Sequence, residues 1–244
     1  MAFFKSLVQR CVQYFGYTLK KDFYPDLEKA FLELQKTVAP YTMTHLLSQY
    51  AMYKATKYVL AHNIQGDIVE CGVWRGGVSM VVASVLKEAG STKQMYLYDT
   101  YEGMSVPTEH DKRYDGMDAA GRFNSWKRDN GESAWCYASL EEVTHNMETI
   151  GYPHVTYVRG KVEDTIPHTM PQSIAILRLD TDWYESTKHE LEHLFPLLVP
   201  GGVLVLDDYG QWEGAKKAYD EYAKAHGVRI FLNRIDHSAR IGIK

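Results

Sequence analysis

Short apolar runs alternate with longer amphipathic ones along most of this chain. Residues 67–71 (DIVEC), 94–99 (QMYLYD), 154–159 (HVTYVR), 173–179 (SIAILRL) and 202–207 (GVLVLD) are brief and rich in β-branched or aromatic residues, the mark of buried strands. Between the first two runs, VSMVVASVLKEAG repeats its apolar residues at helical spacing. ESTKHELEHLFPLLV separates the fourth run from the fifth, and QWEGAKKAYDEYAKAHG follows the fifth. Strand–helix alternation at this spacing predicts a parallel sheet with helices on both faces. The end of the chain differs. VRIFLN (228–233) and ARIGI (239–243) are joined only by residues 234–238, too few for a helical crossover, so they are expected to pair as an antiparallel hairpin.

Ahead of the alternation, residues 22–62 read as helix: DLEKAFLELQKTV, a break at Ala39-Pro40, then HLLSQYAMYKATKYVLAHN, closed by Gly66. The chain therefore divides into an N-terminal helical extension, 1–62, and an α/β domain, 63–244. The opening MAFFKSLVQRCVQYFGYTLKK is mildly basic and amphipathic, without the apolar core or cleavage site of a signal peptide. It reads as a docking helix, with homo-oligomer contact or a membrane surface as the alternatives. One segment inside the domain has no period. Residues 100–138 are rich in charge, glycine and aromatics, and a connection of this length is expected to be a lid.

Composition narrows the class without naming the chemistry. At 244 residues the chain suits one α/β domain with additions, and 45% hydrophobic with 24% charged residues is ordinary for a globular protein. The balance of 27 basic against 31 acidic residues, net −4, speaks against a nucleic-acid surface. No run approaches the roughly 20 apolar residues of a transmembrane span. Cys11, Cys71 and Cys136 are odd in number and scattered, which points to reduced thiols in a cytoplasmic setting.

Ligands of an open parallel sheet bind beyond the carboxyl ends of its strands. Here each such end carries a carboxylate: Glu70, Asp99, Glu163, Asp180 with Asp182, and Asp207 with Asp208. The first two frame a nucleotide-type site. The glycines after Glu70 admit backbone amides to a ligand, the following helix N-terminus favours an anion, and Asp99 is placed to accept hydrogen bonds from a ribose diol. The loop is E-x-G-x-x-x-G-G and not the dinucleotide fingerprint, so an ordinary strand–turn–helix corner would also use it. Asp180, Asp207 and Asp208 close two strands expected to be neighbours. Converging carboxylates call for a cation, and an all-oxygen set suits a hard ion, magnesium first and then manganese or calcium. The alternative is that these aspartates cap the next helix or turn. No phosphate loop G-x-x-x-x-G-K-[ST] is present, which argues against an ATPase.

Taken together, VECGVWRGG, YDTYEGM and RLDTDWYESTKHELEHLFPLLVPGGVLVLDDYGQWEGAKKAYDEY resemble the macrocin O-methyltransferase (TylF/MycF) family, from Tyr41-Thr42-Met43 to Tyr222. The resemblance implies a class I methyltransferase (Rossmann-like) fold: a mostly parallel seven-stranded sheet with a terminal antiparallel hairpin, helices on both faces, and N-terminal helices. It implies S-adenosyl-L-methionine as methyl donor, Mg2+ (or Mn2+) as metal, and a hydroxyl of a small-molecule, sugar-containing acceptor. Carried onto this chain, the loop of Glu70, Cys71, Gly72, Val73, Trp74 and Arg75 holds the methionine part of the cofactor. Asp99 and Thr100 meet the ribose, Glu163 borders the adenine, and Met43 covers the cofactor from the helical side. Asp180, Asp207 and Asp208 hold the metal, Asp180 reaching the cofactor as well. The chain departs from the family at its N-terminus and in residues 100–138, where acceptor specificity is expected.

An alcohol holds its proton too tightly at neutral pH to attack a sulfonium methyl. A divalent cation lowers that pKa and fixes the oxygen, and a vicinal diol would chelate it. Asp180 is the first candidate base and Asp182 the second, although Asp182 would point to the opposite face if the chain stayed extended. His237 is a third, and Trp74, Trp183 and Tyr184 are candidate stacking surfaces. Two other classes stand beside this reading. An NAD-dependent oxidoreductase wants the missing dinucleotide glycines, and a non-catalytic nucleotide- or carbohydrate-binding module has no use for Asp180 beside Asp207-Asp208.

Overall fold

The β-branched runs do become strands: β1 (Asp67–Cys71), β2 (Met95–Asp99), β3 (Val155–Arg159), β4 (Ile174–Leu179) and β5 (Leu198–Leu206). A computed structural model of the protein describes residues 24–129 and 133–244. The basic opening segment, with its docking-helix expectation and Cys11, lies outside the described residues. All of β4 is buried, as a central strand covered on both faces must be. The five strands run parallel, and the hairpin of β6 (Asn233–Arg234) and β7 (Arg240–Ile243) closes the β5 edge antiparallel. The 7-stranded order is β3-β2-β1-β4-β5-β7-β6. Strand order reverses between β1 and β4, which opens the crevice where such sheets bind ligands.

Eight α-helices accompany the strands among the described residues: α1 (Lys29–Val38), α2 (Leu46–Ala61), α3 (Gly77–Glu88), α4 (Ala119–Ser125), α5 (Leu140–Ile150), α6 (Val162–Thr165), α7 (Tyr184–Leu194) and α8 (Glu213–His226). Phe31 of α1 and Met52 and Val59 of α2 share one apolar core with Val81 of α3, Val143 of α5 and Ile176 of the sheet. Helices α1 and α2 therefore pack as a layer of the α/β domain. Leu191 and Leu194 of α7 and Tyr219 and Tyr222 of α8 cover the other face. No helix among the described residues is long and apolar enough to cross a membrane.

Three local readings change. β5 begins at Leu198 and not at Gly202, because Leu198 pairs with Ile174 before the register shifts past Pro200 and Gly201. β6 keeps only Asn233 of the expected run and takes in Arg234 of the connection, while Val228, Ile230 and Leu232 pack against the core beneath. Helix α5 was not marked by a run of apolar residues, yet its caps were in the sequence. The Ser139 hydroxyl accepts from the Glu142 N–H (3.2 Å), and Gly151 ends the helix in a left-handed turn.

Residues 100–138, expected to form a lid, carry α4 and sit on the starts of α7 and α8. The Trp183 indole donates to the Ser105 carbonyl (3.0 Å), the Tyr184 N–H donates to Asp111 Oδ1 (2.8 Å), and Arg113 forms a β-bridge with Trp212.

Candidate active site

Asp180, Asp207 and Asp208 leave β4 and β5 side by side because those strands are hydrogen-bonded neighbours. One carboxylate oxygen from each lies within 4.8 Å of the others. Beneath them is a cation that the sequence reading passed over. Arg178, 1% exposed, ion-pairs with Asp180 Oδ2 at 2.7 Å and Asp207 Oδ1 at 2.9 Å. It also donates to Glu70 Oε1 at 2.5 Å and to Thr44 Oγ1 at 3.2 Å. The signal was available: an arginine inside the apolar run IAILRL has to find buried anions. The register sets Glu70 of β1 directly beside Arg178 of β4.

Glu70 lines the cavity, but its carboxylate is committed to the protein. One oxygen takes the Arg178 bond and the other accepts from the Ser79 hydroxyl. Burial pushes its pKa up and Arg178 pulls it back.

Asp182 does not point away as an extended chain would have it. Its φ of +63° is left-handed, so the chain turns straight after β4. The turn carries Asp182 to the cavity wall, where its N–H donates to Asp208 Oδ2 (3.0 Å). Burial, then the charge of Asp180, push the Asp182 carboxyl up to about 7. Asp208 is pushed well above the usual carboxylate range, first by burial and then by Asp182 and Asp207.

Asp99 lines the cavity at the end of β2, and the protein already uses it heavily. Its Oδ2 accepts from the N–H groups of Val73 (2.7 Å) and Trp74 (3.0 Å), and its Oδ1 from that of Tyr101 (2.8 Å). These bonds hold the glycine loop in shape against the cost of Trp74 at φ +47°. Gly72 is needed for a different reason than ligand approach: a Cβ there would run into the Asp180 carbonyl. The loop after β1 is thus packed directly on the end of β4.

Of the other residues expected at the cofactor, Gly72, Val73, Trp74, Thr100 and Glu163 line the same cavity of about 430 Å³. Met43 also lines it and is 64% exposed. Glu163 accepts from the Ser186 hydroxyl at 2.8 Å. Cys71 and Arg75 are not among the cavity walls. Cys71 is buried in the core under α7 and α8, where burial pushes its thiol well up. Arg75 binds Glu142 (2.5 Å) and the Pro40 carbonyl (2.9 Å), tying the loop to α5 and to the bend after α1.

Of the three aromatics expected as stacking surfaces, Trp74 lines the cavity and the other two do not. Trp183 is buried behind it, and the Tyr184 hydroxyl turns to Glu221 (2.7 Å). Trp135 and Trp212 line the cavity in their place, and Trp183 braces both edge-on. Proximity to Trp135 could not be read locally, since it depends on residues 100–138 folding over the sheet. His237 stands exposed at the rim.

Residues 7–241 match the family model described as macrocin-O-methyltransferase. An 8-demethyl-8-(2,3-dimethoxy-alpha-L-rhamnosyl)-tetracenomycin-C 4'-O-methyltransferase from Streptomyces olivaceus is 33% identical over 217 residues, 87% of this chain and 78% of that one. The mycinamicin III 3''-O-methyltransferase of Micromonospora griseorubida is 29% identical over 203 residues, 82% of this chain and 76% of the relative. Among solved structures, the O-methyltransferase NovP matches with a TM-score of 0.72 at 28% identity, covering 84% of this chain and 82% of its own. An SAH-bound methyltransferase of Podospora anserina shares the fold at a TM-score of 0.54 and 10% identity, over 89% of this chain and 88% of its own.

Proposed function

This chain belongs to the macrocin O-methyltransferase family of S-adenosylmethionine-dependent enzymes, and on that footing we propose that it methylates a sugar hydroxyl of a small-molecule acceptor with a divalent cation at Asp180, Asp207 and Asp208. The rhamnosyl group in the name of the tetracenomycin relative supports a sugar acceptor. The observation that carries the reading is an all-oxygen cluster facing the same cavity as the glycine loop. The donors suit magnesium or manganese: three carboxylate oxygens within 4.8 Å, with one buried guanidinium to offset them. Neither a nicotinamide enzyme nor a passive carbohydrate binder needs that arrangement.

When bound, S-adenosylmethionine supplies the electrophilic methyl group, and the cation supplies the charge that makes a hydroxyl acidic enough to attack it. The protein's own residues do the rest. The loop held by Asp99, with Thr100 and Glu163, orients the methyl donor, while Met43 and Trp135 cover the cavity against water. Arg178 fixes Asp180 and Asp207 in direction. Asp180 is thereby committed to charge pairing, so Asp182, brought to the cavity wall by its left-handed turn, is the better acceptor for the hydroxyl proton.

The test is mass-spectrometric. The protein is incubated with S-adenosylmethionine, magnesium and a panel of rhamnosides and other glycosides, and a gain of one methyl is expected on a ring hydroxyl. A chelator should stop the reaction and magnesium should restore it. Methyl transfer that persists in chelator removes the metal from the mechanism, and thermal stabilisation by NAD(H) alone removes the methyltransferase reading.

A further inference from the structure

Resting on that reading, we propose that the acceptor carries an anionic group remote from the reacting hydroxyl, a sugar phosphate or diphosphate in the first place, held by Arg113 and Arg122. Both arginines line the cavity. Both also place a guanidinium nitrogen 3.5 Å from the same atom, Met117 Sδ. Two like charges are gathered around a neutral thioether, which is a weak acceptor. Arg113 has a partial partner in Asp115 at 3.1 Å, itself mostly exposed. Among the described residues no carboxylate pairs with Arg122, whose guanidinium lies over the Trp135 ring at 5.1 Å.

The fold holds the backbone at both positions. Arg113 is fixed by its β-bridge to Trp212, with the Tyr114 N–H donating to the Gln211 carbonyl (3.1 Å). Arg122 lies on α4, whose Ala119 and Phe123 are buried and whose first turn is capped by Asp118. Cys136, also in the wall, lies within the electrostatic reach of Asp182, Asp180 and Arg122 alike. The cavity wall thus carries carboxylates at the strand ends and two guanidiniums from residues 113 and 122. A neutral glycoside would leave Arg113 with Asp115 alone and bring no anion to Arg122. An acceptor with its diol at the aspartates and a phosphoryl group at the arginines satisfies both ends, and guanidinium forks bind such oxyanions in charge-assisted pairs. Trp135 borders the space between them, with Trp212 buried beside it at a tilt of 52°.

The test is calorimetric binding to protein loaded with S-adenosylhomocysteine, so that it needs no turnover. The probes are methyl glucoside, glucose 1-phosphate, uridine diphosphate glucose and glucuronic acid. At least one anionic probe should bind tenfold or more tightly than methyl glucoside, and the advantage should shrink as salt rises. Arg122→Gln should abolish the advantage, whereas Lys112→Gln, on the same segment but outside the cavity walls, should keep it. A gain for glucuronic acid without a gain for the phosphates identifies the anion as a carboxylate. Equal affinity for neutral and anionic probes, no measurable binding of any probe, or an advantage that survives Arg122→Gln overturns the inference. Methyl transfer to neutral glycosides is read in a separate assay, so the function can stand while this proposal falls.

Discussion

Asp99 carries more than one duty in so short a side chain. A ribose diol was its expected partner, yet its oxygens already accept from three backbone amides. Asp99→Ala is therefore expected to weaken cofactor binding and to lower stability together, by about 1–3 kcal/mol from the orphaned amides. Urea unfolding and S-adenosylhomocysteine titration measure the two effects. Lost affinity at unchanged stability would return Asp99 to a purely ligand-binding role. Arg178 changes the expectation for the aspartates in the same way. Asp207 is ion-paired beneath the cluster, whereas Asp208 faces mainly other carboxylates. Asp208→Asn should hold or raise the metal-free melting temperature while removing the shift given by magnesium. Arg178→Met should cost about 3–5 kcal/mol, because it strands buried charges, and added magnesium should recover part of that loss. A variant as stable as the parent without metal would show that Arg178 is not what balances the site.

At the level of elements, two attachments decide what stays closed. Asp111 is 3% exposed; its Oδ2 accepts from the N–H (2.7 Å) and hydroxyl (2.9 Å) of Thr108, and its Oδ1 from the first N–H of α7. Asp111→Ala should release residues 100–138. Hydrogen exchange there should rise several-fold while the sheet stays protected, and uniform protection would mean the aromatic contacts alone hold the segment. The second attachment joins α1 to α2. Glu28 accepts from Lys54 (2.8 Å), Lys57 (2.7 Å) and the Tyr53 hydroxyl (3.1 Å), and Lys54 leads in pulling its pKa from 4.5 down to about 2. A folded pKa below the unfolded one stabilises above pH 4.5, and the gain is lost as pH falls towards 2. The groups are largely exposed, so the effect should stay below about 1 kcal/mol. Glu28→Gln should flatten that acid limb in a pH series of melting temperatures, and an unchanged limb would assign the acid sensitivity elsewhere.

For the molecule as a whole, the glycine loop and the aspartate cluster share one cavity at the point where strand order reverses. Ligands of that cavity should stabilise the entire fold. S-adenosylhomocysteine at a hundred times its Kd should add about 2.7 kcal/mol, magnesium should add to it, and NAD(H) should add nothing. A scanning fluorimetry series checks all three. The sequence by itself determined the architecture, because strand and helix periods, short connections and the carboxylates at strand ends are local properties of the chain. It also brought Asp180, Asp207 and Asp208 together, since adjacent parallel strands leave their next residues side by side. Tertiary structure alone decided what those groups face. Cross-strand register set Glu70 against Arg178, a left-handed turn brought Asp182 back to the cavity, and the fold of residues 100–138 put Trp135, Arg113 and Arg122 over it. Each of these depends on contacts between residues far apart in the chain, where no period or motif records which partner will be met.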